Sequence, residues 1–140
     1  RMWRLLPPGG LLLVEFMTAR VRLRAHPFFD RYVFPDGQQF PLTVPLSQAE
    51  GVGFELVDVE HLREDYLRTI RAWNRRLAQR RDRCEALVGP IRYRIWRLYL
   101  EYAAYGYARS RFNCYQCVWR KTTPGEATRP WRRPIHATAE

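Results

Sequence analysis

The sequence predicts an α/β fold of about three strands with flanking helices, and three observations carry that expectation. Leu11–Thr18 (LLLVEFMT) is a short apolar run bounded by the Pro-Pro-Gly-Gly turn of residues 7–10, the pattern of a strand buried on both faces of a covered sheet. Gly53–Val59 (GFELVDV) alternates apolar and polar residues, the two-residue period of a half-buried strand. Two long stretches follow with the 3.6-residue period of amphipathic helices, and Arg111–Arg120 (RFNCYQCVWR) reads as a last strand.

The other elements follow from local chemistry. RMWRLLPPGG loosely imitates a secretory leader, but Pro7, Pro8, Gly9 and Gly10 break its apolar segment and no small-residue cleavage site follows. Ala19–His26 alternates arginine with apolar residues and reads as an exposed strand or loop arm. Pro27–Pro45 is rich in aromatics, proline and glycine and reads as a structured loop, with a short helix at Ser47–Gly51. Arg63–Leu87 is predicted as one helix, with Tyr66, Ile70, Trp73 and Leu77 on a single face. Gly89-Pro90 ends it and starts the next. Ile91–Arg109 then carries a stripe of Ile91, Ile95, Leu98, Tyr99, Tyr102 and Gly106. Residues 122–140 contain Pro124, Gly125, Pro130 and Pro134 without periodicity, so the chain divides into an ordered part, 1–121, and a flexible basic tail, 122–140.

Composition narrows the function classes. A chain of 140 residues can bury a real core, and 46% hydrophobic and 14% aromatic content exclude general disorder. The net charge of +10 is almost all arginine, Lys121 being the only lysine. Such a surface favours phosphates, on anionic lipid or on nucleic acid. No helix-turn-helix, RNP or zinc-finger pattern is present, which makes nucleic acid the weaker partner. Three cysteines, an odd number, argue against a disulfide scaffold and for a reducing cytoplasm. No apolar run reaches the length of a membrane span. Cys114-Tyr115-Gln116-Cys117 is a CxxC on a predicted strand, which sends the two thiols to opposite faces. His26, His61 and His136 lack ligand spacing, so no metal site is expected.

Two motifs carry a resemblance. Tyr32-Val33-Phe34-Pro35-Asp36-Gly37 and Asp65-Tyr66-Leu67-Arg68-Thr69-Ile70-Arg71-Ala72-Trp73, in this order and separation, resemble the C-terminal half of the cyclopropane-fatty-acyl-phospholipid synthase and mycolic acid cyclopropane synthase family. The likeness covers Pro8 to Trp119. It implies the C-terminal portion of a class I, Rossmann-like methyltransferase fold dependent on S-adenosylmethionine (SAM). It also implies methyl transfer to the double bond of unsaturated phospholipid acyl chains, with a cyclopropane or methyl-branched product. By the same resemblance Tyr66 donates its phenol O–H to a bound bicarbonate, which takes a proton from the cationic acyl intermediate. Core packing of an amphipathic helix would also place Tyr66 and Trp73 on one face. Tyr32 and Phe34 are implied at the substrate entrance, and Trp73, Tyr99 and Tyr107 along the acyl chain, with Tyr102 beside them. Gln116 matches a glutamine of the family's final strand.

One departure matters. Where many members follow the Gly-Gly turn with His-Thr-Ile or His-Ala-Ile, this chain has Glu15-Phe16-Met17. Met17 takes the place whose backbone contacts bicarbonate, and Glu15 takes the place of the histidine. A carboxylate beside bicarbonate is repulsive unless one of them is protonated. Bicarbonate is therefore disfavoured; either it is not used, or Glu15 is itself the base, or the site is inactive. Tyr66 and Glu15 are the catalytic candidates.

SAM needs a strand, a glycine-rich turn and a helix N-terminus. Gly51-Val52-Gly53 precedes a strand, has Leu56 where a third glycine belongs, and reads as a helix-to-strand turn. A chain that starts at Arg1 without a SAM loop is expected to be part of something longer, binding SAM only with an N-terminal half supplied upstream or by another chain. The alternative is a non-catalytic basic remnant or partner subunit that binds anionic lipid or nucleic acid. Arg71, Arg75, Arg76, Arg80, Arg81 and Arg83 on the first long helix, with Trp131 in the tail, suit an anionic membrane surface. The expected location is cytoplasmic, peripheral to the inner face of the membrane.

Overall fold

The computed structural model describes residues 1–20, 27–35, 37–123 and 125. A single helical turn, α1 (Met2–Leu5), precedes β1 (Leu11–Ala19). Then come α2 (Pro27–Tyr32), α3 (Thr43–Val52), β2 (Phe54–His61), α4 (Arg63–Gln79), α5 (Arg81–Val88), α6 (Pro90–Ala108) and β3 (Phe112–Lys121). The strand order is β1-β3-β2, with β3 antiparallel to both neighbours.

The last strand is central because it is apolar on both sides. Phe112 and Cys114 join Ile70 of α4 and Leu100, Ala103, Ala104 and Tyr107 of α6 in one core. Cys117 and Trp119 point the other way, into a second core with Phe54, Trp3, Leu12, Val14 and Phe16. The CxxC thiols thus lie on opposite faces, as the strand period requires. Gly106 of α6 is buried where a Cβ would collide with the Phe112 ring, so its missing side chain sets how closely α6 approaches β3.

The chain ends of the sheet are clamped by polar contacts. Gly9 N donates to Lys121 O at 2.9 Å and Lys121 N to Gly10 O at 2.9 Å. The lysine Nζ donates to the carbonyls of Trp3 and Leu6, both at 2.9 Å, and so caps the C-terminal end of α1. Gly53 closes α3 at φ 105°, with its N–H on Glu50 O. Gly51-Val52-Gly53 is therefore the helix-to-strand turn its position suggested.

Several expectations are corrected. The Arg63–Leu87 helix is two helices, since Arg80 leaves helical geometry at φ −114°, ψ 30°. No glycine or proline marks the break; the turn lets α5 fold back on α6, with the Arg81 guanidinium 6.0 Å above the Tyr93 ring. The structured loop contains α2, and α3 begins at Thr43, before Ser47, because Pro45 is tolerated in a first helical turn. The sheet is not covered on both faces along β1. Leu11, Leu13 and Met17 are exposed, Leu13 at 58%, because α4 and α6 reach only the Phe112–Cys114 end of that face. Residues 21–26 of the basic arm and residues 124 and 126–140 of the tail, Trp131 included, lie outside the described residues. Among the described residues no helix is long and apolar enough to cross a membrane.

Candidate active site

A cavity of about 550 Å³ lies between α6, the segment from α2 to α3, and one end of the sheet. Helical spacing aims Tyr99, Tyr102, Ala103 and Tyr107 of α6 into it. Phe29 and Phe34 close the opposite wall, and Phe16, Met17 and Phe112 come from the strands. The rings interlock: Phe29 lies 4.5 Å from Tyr102 and Phe34 lies 5.3 Å from Tyr99, centroid to centroid. Gly37 hugs the Phe34 side chain and donates its N–H to Phe34 O at 3.0 Å, which turns the loop back over the cavity. Asp30 is the single charged residue in this lining.

A polar cluster sits behind the Tyr107 wall. In the β1–β3 register Glu15 faces Gln116 and Met17 faces Cys114. These four residues share the sheet face that α4 and α6 approach. Tyr66 of α4 packs its ring 5.1 Å from Tyr107. Burial, then the charges of Cys114 and Glu15, pushes the Tyr66 phenol up. Burial, followed by the Glu15 carboxylate, pushes the Cys114 thiol up to about 12. Burial also raises Tyr107, with Cys114, Tyr66, Tyr99 and Glu15 adding to it, and raises Tyr99 to about 12 with Tyr66 adding. The Tyr107 hydroxyl is buried without a hydrogen-bond partner. Two phenols and a thiol therefore hold their protons at neutral pH on the side of the sheet that carries Glu15.

Burial raises both the Tyr66 and Tyr107 phenols, and the charge of Glu15 adds to it. The described residues do not suit SAM. Among them no strand feeds a glycine-rich turn into a helix N-terminus; β2 enters α4 directly through Leu62.

The structure brings Phe34, Tyr99, Tyr107 and Met17 together on the cavity wall. Tyr66 stands behind it, and Glu15 does not line the cavity but is exposed on the bare β1 face between Leu13 and Met17. Tyr32 is half exposed beside Phe28, with its ring 5.4 Å from that of Phe28. Trp73 does not line the cavity; it is 45% exposed and meets the edge of Tyr66 at 6.1 Å. Phe29, Phe112 and Cys114 were not anticipated. Phe29 was visible only as part of an aromatic loop, and Cys114 only as half of a CxxC.

The antiparallel last strand between two others, with helices carrying an aromatic cavity, is the end of a class I SAM-dependent methyltransferase sheet. The cyclopropane synthase MmaA2 of Mycobacterium tuberculosis shares this fold at a TM-score of 0.79 and 23% identity, over 86% of this chain and 47% of that one. The mycolic acid cyclopropane synthase CmaA1, in complex with SAH and CTAB, matches at a TM-score of 0.76 and 23% identity, over 84% and 46%. A probable fatty acid methyltransferase of Pseudomonas putida is 36% identical over 132 residues, 89% of this chain and 34% of its own length. The model of the mycolic acid cyclopropane synthetase family matches residues 1–117. The chain belongs to that family of SAM-dependent lipid methyltransferases and cyclopropane synthases. It spans about a third of the curated relative and about half of each solved chain.

Proposed function

We propose that this chain forms the acyl-chain half of a methyltransferase acting on the double bond of unsaturated phospholipid acyl chains, and that Glu15 is its base. The observation that carries the reading is the aromatic cavity of about 550 Å³ with the Glu15–Tyr66–Tyr107–Cys114 cluster behind one wall. That volume lies in the range of small-ligand pockets, roughly 300–1,000 Å³. The ring faces of Tyr99, Tyr102 and Tyr107 attract a cationic intermediate without quenching it. In the proposed step a C–H bond of the methylated acyl cation breaks. Its proton passes to a Glu15 carboxylate oxygen and its electron pair closes the ring. The hydroxyl of Tyr66, whose ring packs on Tyr107, orients the carboxylate.

The SAM-binding half is then supplied upstream or by another chain, and it covers the bare β1 face of Leu11, Leu13 and Met17. That uncovered face also supports a second reading, a partner subunit without its own catalysis. The basic surface supports an anionic membrane as the other partner and a cytoplasmic, peripheral location. The test is Glu15→Gln in the complete enzyme, followed by mass spectrometry of host fatty acids. Loss of a general base predicts a fall of about 10²–10⁴-fold in product; full turnover would sink the assignment.

A further inference from the structure

The α5–α6 hairpin is built unlike a solvated turn. Gly89, at φ 80°, and Pro90 at the start of α6 make a turn around which a Cβ on Gly89 would meet nothing within 4 Å. The residues beside this turn are apolar and bare: Leu87 is 75% exposed, Ile91 74%, and Val88 is exposed between them. Adjacent exposed aliphatic side chains of this kind mark an interaction surface.

The flanks carry one sign of charge. From residue 80 to residue 98 there are six arginines, at positions 80, 81, 83, 92, 94 and 97, against Asp82 and Glu85. Arg81 is spent on Glu85 at 2.9 Å and Arg97 on Glu101 at 3.8 Å. Arg80, Arg83, Arg92 and Arg94 are exposed and have no ion-pair partner among the described residues. An apolar tip rimmed by arginines is the pattern of a segment that seats in the interface of an anionic bilayer. The long arginine stems can lie along the aliphatic side chains while the guanidinium groups reach phosphate.

The stripe on α6 connects that tip to the cavity. Ile91, Ile95, Leu98 and Tyr102 recur at spacings of three and four and so share one side of the helix. Ile91 and Leu98 are exposed, Ile95 is half-buried, and Tyr99 and Tyr102 line the cavity. Phe34 meets Trp96 and Tyr99 edge-on at 6.2 and 5.3 Å beside this track. The apolar surface thus runs from the hairpin turn to the aromatic wall.

We propose that the α5–α6 hairpin is the membrane-docking tip of this chain: Leu87, Val88 and Ile91 enter an anionic bilayer, the flanking arginines hold its phosphates, and the Ile91–Tyr102 stripe leads an acyl chain into the cavity. This deepens the lipid reading above and rests on it. Two readouts on the whole chain separate the two. Sedimentation with vesicles of phosphatidylglycerol and phosphatidylcholine reports the tip. Fluorescence of cis-parinaric acid reports the cavity.

The wild-type chain binds the anionic vesicles, weakly binds pure phosphatidylcholine, and is released by salt. Leu87→Asp with Val88→Asp, both exposed and outside the α6 stripe, lowers vesicle binding at least tenfold and leaves parinaric acid binding and the thermal melt unchanged. Arg83→Ala, Arg92→Ala and Arg94→Ala each lower it about fivefold, the effect of one basic residue at an anionic surface. Unchanged vesicle binding by the aspartate variant overturns the tip while leaving the cavity reading intact. Absence of parinaric acid binding by the wild type counts against the cavity reading itself. Binding to duplex DNA as tight as to the vesicles, and insensitive to the aspartates, also overturns the tip.

Discussion

Gly106→Ala tests the link between fold and site, because two effects of known sign oppose each other. Gly106 lies inside α6, where glycine costs about 1 kcal/mol relative to alanine. Propensity alone therefore predicts a more stable protein. The geometry predicts the reverse. A Cβ at this position falls within the van der Waals envelope of Phe112 Cδ2 and Cε2 and lies 3.2 Å from Cγ. Phe112 is 5% exposed, wedged between Tyr102 at 5.6 Å and Tyr107 at 5.8 Å. Its ring can yield only toward the cavity it lines. Overpacking of this kind costs about 1–3 kcal/mol, and a displacement this large belongs near the upper end. The net expectation is a loss of about 1–2 kcal/mol, a fall of about 3–8 °C in Tm for a chain of this length. Urea unfolding at unchanged m-value measures the first effect. Weaker parinaric acid binding measures the intrusion of the ring. Adding Phe112→Leu relieves the clash and restores stability in part. If Gly106→Ala proved more stable than wild type and bound parinaric acid equally well, the assigned role of this glycine would be refuted.

Calorimetry with SAM on the chain alone is expected to show no binding, and micromolar affinity would overturn the account of a cofactor half supplied elsewhere. Alkaline pH should destabilise the fold. Burial holds Cys114 and Tyr99 up to about 12 from ordinary values of 9.0 and 10.0, so the folded state keeps protons that the unfolded chain releases. Their stabilisation is complete below about pH 9 and is lost as the pH rises toward 12. A Tm that stays flat across that window would contradict the buried cluster, and Cys114→Ala should make the decline shallower. The β1 edge and its bare apolar face should drive self-association; Leu13→Lys should reduce it, and a clean wild-type monomer in size-exclusion chromatography would count against this reading of the face.

Local signals in the chain were read correctly where the physics is local. The apolar run after the Gly-Gly turn is β1, the alternating GFELVDV is β2, and Gly89-Pro90 separates helices, because period, propensity and turn geometry act within a few residues. The same reading overextended α4 through Arg80, where no breaker stands and the bend is set by packing of α5 on α6. It also assumed a covered sheet from the apolarity of Leu11–Thr18. Apolar residues state what a strand can bury, whereas cover depends on which elements reach it, and α4 and α6 stop near Cys114.

The sequence by itself determined the lineage, through DRYVFPDG and DYLRTIRAW, and the substitution of glutamate where many members carry histidine. Tertiary structure alone decided what Glu15 faces. Tyr66, Tyr107 and Cys114 are distant in the chain and meet it only because β3, the last strand, inserts beside β1 while α4 and α6 pack over one end of that pair. Strand order and helix approach are long-range choices. No periodicity along the chain encodes them, so the carboxylate among protonated neighbours, and the aromatic cavity beside it, appear only once the sheet is assembled.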